Sequence, residues 1–178
     1  MANSDSEITS AMRSNPDKGI RLLMASYKEP IYWHIRRLVV DHEDAQDATQ
    51  ETFVRAYRSF NQHDAKASLG AWLYRIATNE ALRIVERRRQ ALSIDVAPES
   101  VANIAADNFI DYTDSVAIKF QNAILSLPQK QQIVFNLRYY DEMTYNEIAQ
   151  ITGSTSTAAK ASYHLAKTKI IEYMNNND

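Results

Sequence analysis

The sequence predicts an all-α protein with two small helical domains joined by a flexible acidic linker, the second being a helix-turn-helix domain. Only 3 glycines and 4 prolines occur among 178 residues, so few turns are obligatory. Apolar residues recur at intervals of three and four over most of the chain, as they do along an amphipathic helix. Residues 91 to about 112 lose this period and carry Pro98 and scattered acidic residues, a composition typical of a tether.

The first predicted helix runs from about Gly19 to Val40. Its expected core-facing stripe consists of Ile20, Leu23, Met24, Tyr27, Ile31, Ile35 and Leu38. Pro30 either kinks this helix or divides it in two, because proline removes a helical hydrogen bond.

Two further helices complete the first domain. The second, from about Glu43 to Phe60, is expected to bury Ala45, Ala48, Thr52, Phe53, Ala56 and Phe60. The third, from about Leu69 to Arg89, is expected to bury Leu73, Ile76, Ala77, Ala81 and Ile84. The polar loop 61–68 between them is long enough to have a function of its own.

The second domain is predicted to contain four helices. They run from about Ala117 to Leu127, Gln129 to Tyr140, Thr144 to Ile151 and Thr155 to Met174, and Pro128 opens the second of them. Gly153 follows the third helix, where it can adopt the left-handed conformation of a tight turn, and the small Ala149 allows close helix packing.

The last helix has the two faces that a DNA recognition helix needs. Its expected buried stripe is Ala159, Tyr163, Ala166, Ile170 and Tyr173, and its expected solvent-facing stripe is Thr157, Lys160, His164 and Lys167. Polar side chains on the free face can enter a major groove while the other face is anchored. The alternative is an ordinary helical hairpin whose lysines are simply solvated.

Charge alternates in sign along the chain. Residues 41–53 contain five acidic and no basic residues, residues 71–90 contain five arginines and two glutamates, and residues 91–118 again contain five acidic and no basic residues. This pattern predicts separate surfaces for separate partners. Asp44, Asp47 and Glu51 form an acidic ridge, which either binds a basic partner or complements the helix dipole.

Trp72, Arg75, Asn79 and Arg83 share one face of the third helix. Aromatic rings can stack on unpaired bases, amides can bond base edges, and arginines can hold phosphates, so this face is a candidate surface for unpaired nucleic acid. The alternative places Trp72 in the core and Arg75 in a surface ion pair. The run 87–89 of three arginines either contacts phosphate or complements the end of the helix dipole.

No catalytic apparatus is predicted, and neither a metal nor another cofactor is expected. The chain contains no cysteine, no glycine-rich phosphate loop, and four scattered histidines without metal-ligand spacing. Its apolar runs are too short to cross a bilayer, and no secretory signal precedes them, so a cytoplasmic location is expected.

These motifs together resemble a bacterial RNA polymerase sigma factor of the extracytoplasmic-function (ECF) group. Residues 44–57 resemble the clamp-binding helix of that family and residues 71–79 its promoter-melting helix. Residues 125–128 and the helix-turn-helix resemble its second conserved domain. The resemblance implies sigma region 2 in residues 1–90, a linker in 91–114 that threads toward the RNA exit path, and sigma region 4 in 115–178.

The resemblance also implies roles for single residues. The surface for the clamp helices of the largest polymerase subunit would comprise Asp44, Asp47, Gln50, Glu51 and Phe53. Asn79 would read a base flipped from the minus-ten element, and loop 61–68 would form part of its pocket. The residues that would face the minus-thirty-five element are Thr157, Lys160, Ser162, His164 and Lys167.

The implied partners are core RNA polymerase, through its clamp helices and flap, promoter DNA, and an anti-sigma factor, with no membrane insertion. The chain departs from the family pattern at Ala159, Leu165 and His63, so the promoter sequence cannot be copied from another member. Two alternatives remain at this stage: a free-standing helix-turn-helix regulator that never binds polymerase, and a module that binds only a protein partner.

Overall fold

The computed structural model describes residues 3–92 and 115–176, and within these ranges it is helical without any strand. The all-α prediction is therefore confirmed, whereas the predicted linker lies almost entirely outside the described residues. None of the described helices is long and apolar enough to cross a membrane.

Four α-helices and one short 3-10 turn form the N-terminal half. They are α1 (Asp5–Ser14), α2 (Pro16–Val39), α3 (His42–Ser59), the 3-10 turn Phe60–Gln62 and α4 (Leu69–Leu92). Four more helices form the described C-terminal half, namely α5 (Ser115–Leu125), α6 (Gln129–Tyr139), α7 (Tyr145–Thr152) and α8 (Ser156–Asn176). Pro128 is the N-cap of α6, immediately before its first turn.

Helix α1 was not anticipated, although the sequence carries a signal for it. The Ser4 hydroxyl accepts a hydrogen bond from the Glu7 amide, and the Glu7 carboxylate accepts one from the Ser4 amide. This capping box satisfies two amides at the helix start. The apolar face of α1 then buries Ile8, Ala11 and Met12.

Helix α2 is continuous through Pro30, so a division of the helix at this residue is wrong. Most of the predicted stripe is buried, but Met24 is exposed, and its placement in the core is also wrong. Met24 faces a groove between α2 and α3, which helical periodicity cannot distinguish from core.

The two halves are packed together over a shared core. One continuous cluster joins the apolar residues of α1–α4 with Ile133, Val134, Leu137, Met143, Ile148, Ile151 and Ala159 of the C-terminal half. A smaller cluster lies within the C-terminal half alone and consists of Ala123, Ile124, Leu127, Phe135, Ala166 and Ile170. The C-terminal half therefore divides its apolar residues between its own core and the N-terminal half.

The helix-turn-helix geometry agrees with the prediction. Gly153 has φ +66° and ends α7 in the left-handed conformation. On α8, Ala159, Ala166 and Ile170 are buried, and Tyr163 and Tyr173 are partly buried. These contacts fix one face of α8 and leave the opposite face in solvent.

Candidate functional site

The acidic ridge on α3 is partly neutralised by arginines. Arg88 pairs with Asp44 and also donates to the Val39 carbonyl at 2.6 Å, so it ties α4 to the junction of α2 and α3. Glu51 pairs with Arg55 at 3.1 Å, one turn along the same helix. Asp47 is exposed and takes part in neither pair. Of the three acids, Asp47 is thus the one available to a partner without breaking an internal contact.

A groove of about 1380 Å³ separates α2 from α3. Asp47, Gln50 and Phe53 line one wall, although Phe53 itself is mostly buried. Its apolar lining also includes Ile20, Met24, Val54 and Tyr57. Sequence reasoning found the polar side of this groove but missed Met24 and Tyr57, whose exposure depends on how the two helices pack.

A smaller cleft of about 340 Å³ lies between α3 and α4. Asn79 and Arg83 line it together with Glu51, Arg55, Arg58, Ser59, Ile76 and Glu80. Arg83 and Asn79 also line a neighbouring cleft of about 570 Å³ with Arg87. The structure therefore brings Asn79 and Arg83 to one place, whereas Trp72 and Arg75 are not among the residues that line these clefts.

Glu80 forms ion pairs with two arginines of the smaller cleft, Arg55 and Arg83. Its side chain is 9% exposed, and its Oε1 lies 2.6 Å from Arg55 Nε and 2.9 Å from Arg83 Nη1. A carboxylate shared by two guanidinium groups fixes both in position. The sequence offered no periodic signal for Glu80, which follows Asn79 but turns toward α3 instead of solvent.

Trp72 packs inside an aromatic cluster at the base of loop 61–68. Its ring centroid lies 5.0 Å from that of His63 and 5.9 Å from that of Phe60. Burial lowers the pKa of His63, and the nearby Arg13 lowers it further, so the neutral imidazole is favoured. Trp72 is partly buried, which gives it a structural role in shaping this loop whatever it contacts outside the protein.

The three arginines at the end of α4 have different surroundings. Arg88 pairs with Asp44, Arg89 lies 3.7 Å from Glu86, and the exposed Arg87 lines the larger of the two clefts. Arg87 is consequently the member of this run best placed to meet a phosphate beside Asn79.

The outer face of α8 carries the predicted polar residues. Thr157, Lys160, His164 and Lys167 are exposed, and Ser162 is partly buried. The Lys167 ammonium lies 5.5 Å from the centroid of the Tyr163 ring, near the limit of a cation–π contact. Leu165 is exposed on the same helix. In residues 3–92 and 115–176 no group of three metal-ligating side chains comes together.

Comparison with known protein families matches both halves of the chain. Residues 23–91 match Sigma-70 region 2, and residues 117–170 match Sigma-70, region 4. The chain belongs to the sigma-70 family. It is a sigma factor of the ECF group, which binds core RNA polymerase and directs it to specific promoters.

Known relatives agree with this assignment. The chain is 29% identical over 148 residues to the ECF RNA polymerase sigma factor SigW of Bacillus subtilis, which covers 78% of this chain and 79% of the relative. It is 27% identical over 157 residues to the RNA polymerase sigma-H factor of Pseudomonas aeruginosa, covering 83% of this chain and 81% of the relative.

Two solved structures share the fold. CnrH, solved in complex with the cytosolic domain of CnrY, gives a TM-score of 0.75 at 19% identity over 99% of this chain and 100% of CnrH. The sigma factor RpoE from Bartonella quintana, solved with the anti-sigma factor NepR, gives 0.70 at 18% identity over 90% of this chain and 99% of RpoE.

Proposed function

We propose that α3 is the element that couples polymerase binding to promoter opening in this sigma factor. One observation carries the proposal: the groove with Asp47 and Gln50 and the cleft with Glu51 and Arg55 lie on two sides of this helix. A partner bound in the groove and a DNA strand bound at the cleft would therefore share one rigid support.

The polymerase surface in this proposal is the α2–α3 groove. Asp47 offers an exposed charge to a basic partner helix, and the apolar wall offers area to bury. The assigned residues are Asp44, Asp47, Gln50, Glu51 and Phe53. Asp44 and Glu51 would contribute mainly by holding Arg88 and Arg55, since both carboxylates are already paired.

The promoter surface of the first domain in this proposal consists of the two adjoining clefts that share Asn79 and Arg83. Asn79 would bond the edge of an unpaired base, and Arg83 and Arg87 would hold the phosphates beside it. Glu80 acts as a positioning residue that fixes Arg83 and Arg55 before DNA arrives. Trp72 and Arg75, which line neither cleft, would contact DNA at the edge of this surface.

The second domain would read the minus-thirty-five element through the exposed face of α8. Thr157, Lys160, Ser162, His164 and Lys167 are the residues assigned to that contact. The proposed division is region 2 in residues 1–90, a linker in 91–114 and region 4 in 115–178. The polymerase flap is its expected second protein contact.

Regulation by an anti-sigma factor is part of the proposal. Both solved structures contain a protein partner, and the α2–α3 groove of this chain has the size and apolar lining to accept a helix from such an inhibitor. The protein would act in the cytoplasm as a specificity subunit, not as an enzyme.

Reversing the charge of Asp47 tests the polymerase surface. Asp47→Lys should weaken binding to core polymerase by about 2–4 kcal/mol, because a cation would face a basic partner. Fluorescence anisotropy with labelled protein measures this loss, and circular dichroism checks that helicity is kept. Glu172→Lys makes the same charge change on the exposed side of α8 and should bind core polymerase normally. Equal affinities of the two variants would contradict the assigned surface.

A free-standing regulator would behave differently in a single experiment. Gel filtration of the chain with bacterial core enzyme should give co-elution if the chain is a polymerase subunit. A regulator that only binds DNA would elute alone.

A further inference from the structure

Loop 61–68 is attached to the first domain through one buried side chain, that of His63. His63 is 7% exposed, Ala67 and Ser68 are half-buried, and the other residues of the loop are exposed. The hydrogen bonds within the loop join near neighbours in the chain, as where the Ala67 amide donates to the Asp64 carbonyl at 2.9 Å. Such bonds shape a turn but do not fix it to a helix. The packing of His63 therefore holds the exposed part of the loop against the domain.

The His63 ring packs against two aromatic side chains. Its centroid lies 5.0 Å from that of Trp72 and 5.6 Å from that of Phe60, which is itself buried. Trp72 and Asn79 are seven residues apart on α4, about two helical turns, so they lie on the same side of this helix. His63 thus joins the loop to the helix that carries the proposed base-reading residue.

The surroundings of His63 favour its neutral form. Burial lowers the pKa of His63 most, and the cation of Arg13 on α1 lowers it further, whereas Asp64 in the loop and Asp5 on α1 act in the opposite direction. The Nδ1 atom of His63 is buried without a hydrogen-bond partner. Protonation places a hydrogen on both ring nitrogens, so the imidazolium would bury a charged N–H group without an acceptor.

This lowered pKa sets the direction of a pH dependence. A histidine in water titrates near pH 6.5. His63 has a lower pKa when it is packed than when it is released, so the packed loop binds fewer protons between these two values. Packing of the loop is therefore fully favoured above about pH 6.5 and is weakened as the pH falls below that value.

We propose that His63 is a positioning residue for promoter recognition, whose neutral ring, packed on Trp72 and Phe60, holds loop 61–68 in place for the base at Asn79 and whose protonation releases the loop. This inference rests on the proposed reading of an unpaired base by Asn79. It makes base discrimination by this sigma factor weaken on acidification.

The fluorescence of Trp72 tests the packing of His63 directly. The chain contains two tryptophans, so Trp33→Phe leaves Trp72 as the only one. Protonation or release of the adjacent ring changes the surroundings of the indole, so Trp72 emission should titrate with a midpoint below about pH 6.5. His63→Phe in the same background should abolish this titration. The absence of a titration, or one that survives His63→Phe, would overturn the proposal.

A charge variant on α1 shifts the same midpoint. Arg13→Gln removes a cation that disfavours the protonated ring, so the midpoint of the Trp72 titration should move to higher pH. Arg21→Gln removes the same charge from an exposed residue of α2 that is not among the groups shifting the His63 pKa, and it should leave the midpoint unchanged. Equal midpoints in these two variants would overturn the assignment of the titration to a ring packed near α1.

Base discrimination at two pH values tests the role in recognition. Single-stranded minus-ten DNA, changed at the position that Asn79 reads, avoids any contribution from duplex binding by α8. On acidification below about pH 6.5 the unmodified chain should lose about fivefold of its discrimination, the lower end of what one base contact contributes. Discrimination that is the same at both pH values would overturn the role of His63.

Two substitutions of His63 separate positioning from general stability. His63→Phe keeps an aromatic ring that cannot be protonated, so it should restore discrimination at acidic pH. His63→Ala removes the packed ring and should lose discrimination at both pH values. Circular dichroism checks that both variants stay helical, and His63→Phe alone carries the test if His63→Ala unfolds. A pH dependence that persists in His63→Phe would contradict the proposal.

Failure of the proposed function would look different. If Asn79 reads no base, the unmodified chain shows no discrimination at any pH. If His63 does not position the loop, discrimination is present but independent of pH. The fluorescence titration needs neither DNA nor polymerase, so it tests the packing of His63 in both cases.

Discussion

The cleft around Asn79 and the outer face of α8 are both assigned to DNA, but their cations are held differently. At the cleft, Arg55 and Arg83 are fixed by the buried Glu80 at 2.6 and 2.9 Å. On α8, Lys160 makes no hydrogen bond or ion pair within the described residues. A fixed guanidinium suits recognition of one geometry, whereas a free ammonium acts as a mobile point charge. We therefore predict that the cleft around Asn79 recognises bases and that the outer face of α8 contributes salt-sensitive attachment to DNA.

Among the changes at the two proposed DNA surfaces, the largest effect is expected at Asn79, the residue proposed to read a base. Asn79→Ala should remove about 1–3 kcal/mol of discrimination at one position of the minus-ten element, since an amide pairs with a base edge through two hydrogen bonds. Transcription in vitro from promoters changed one position at a time measures this. Asn175→Ala removes an exposed amide far along α8 and serves as the control. An unchanged base preference would remove Asn79 from the recognition surface.

A smaller effect on DNA binding is expected when Glu80, which positions Arg55 and Arg83 at the cleft, loses its charge. Glu80→Gln should weaken binding to unpaired minus-ten DNA by about 1 kcal/mol, because Arg55 and Arg83 are half exposed and lose orientation without losing charge. Duplex binding should be unaffected. Glu172→Gln, which removes the same charge from an exposed residue of α8 that lines neither cleft, is the matched control. Tighter binding by Glu80→Gln would mean that Glu80 only repels DNA and positions nothing.

The smallest effect on DNA binding at physiological salt is expected from the replacement of a single lysine on α8. Replacing Lys160 or Lys167 by glutamine should reduce the salt dependence of duplex binding by about one unit for each lysine, because each releases about one counterion. Titrations at several salt concentrations give the slope. Lys18→Gln, at the start of α2, should not change it. A slope that does not depend on either lysine would place the duplex on another face of the domain.

Sequence periodicity found most of this architecture. The helical class, the buried faces of α3 and α8, and the left-handed turn at Gly153 all follow from spacing and residue type. Helix α1 was missed although its capping box was readable, and Met24 was misplaced because an exposed groove has the same apolar signal as a core. The roles of Asn79 and of the α8 residues remain predictions that the experiments above address.

The sequence alone determined what depends on near neighbours in the chain: helix type, helix ends, and the segregation of acidic and basic segments. The tertiary structure decided which distant residues meet. Glu80 with Arg55, Arg88 with Asp44, and Asp141 with Tyr74 are separated by 25, 44 and 67 residues. Such pairs form because packing brings distant helices together, and at Glu80 and Asp141 it also leaves a buried carboxylate no water to bind. The spacing of apolar residues along the sequence does not reveal which distant residues will pair.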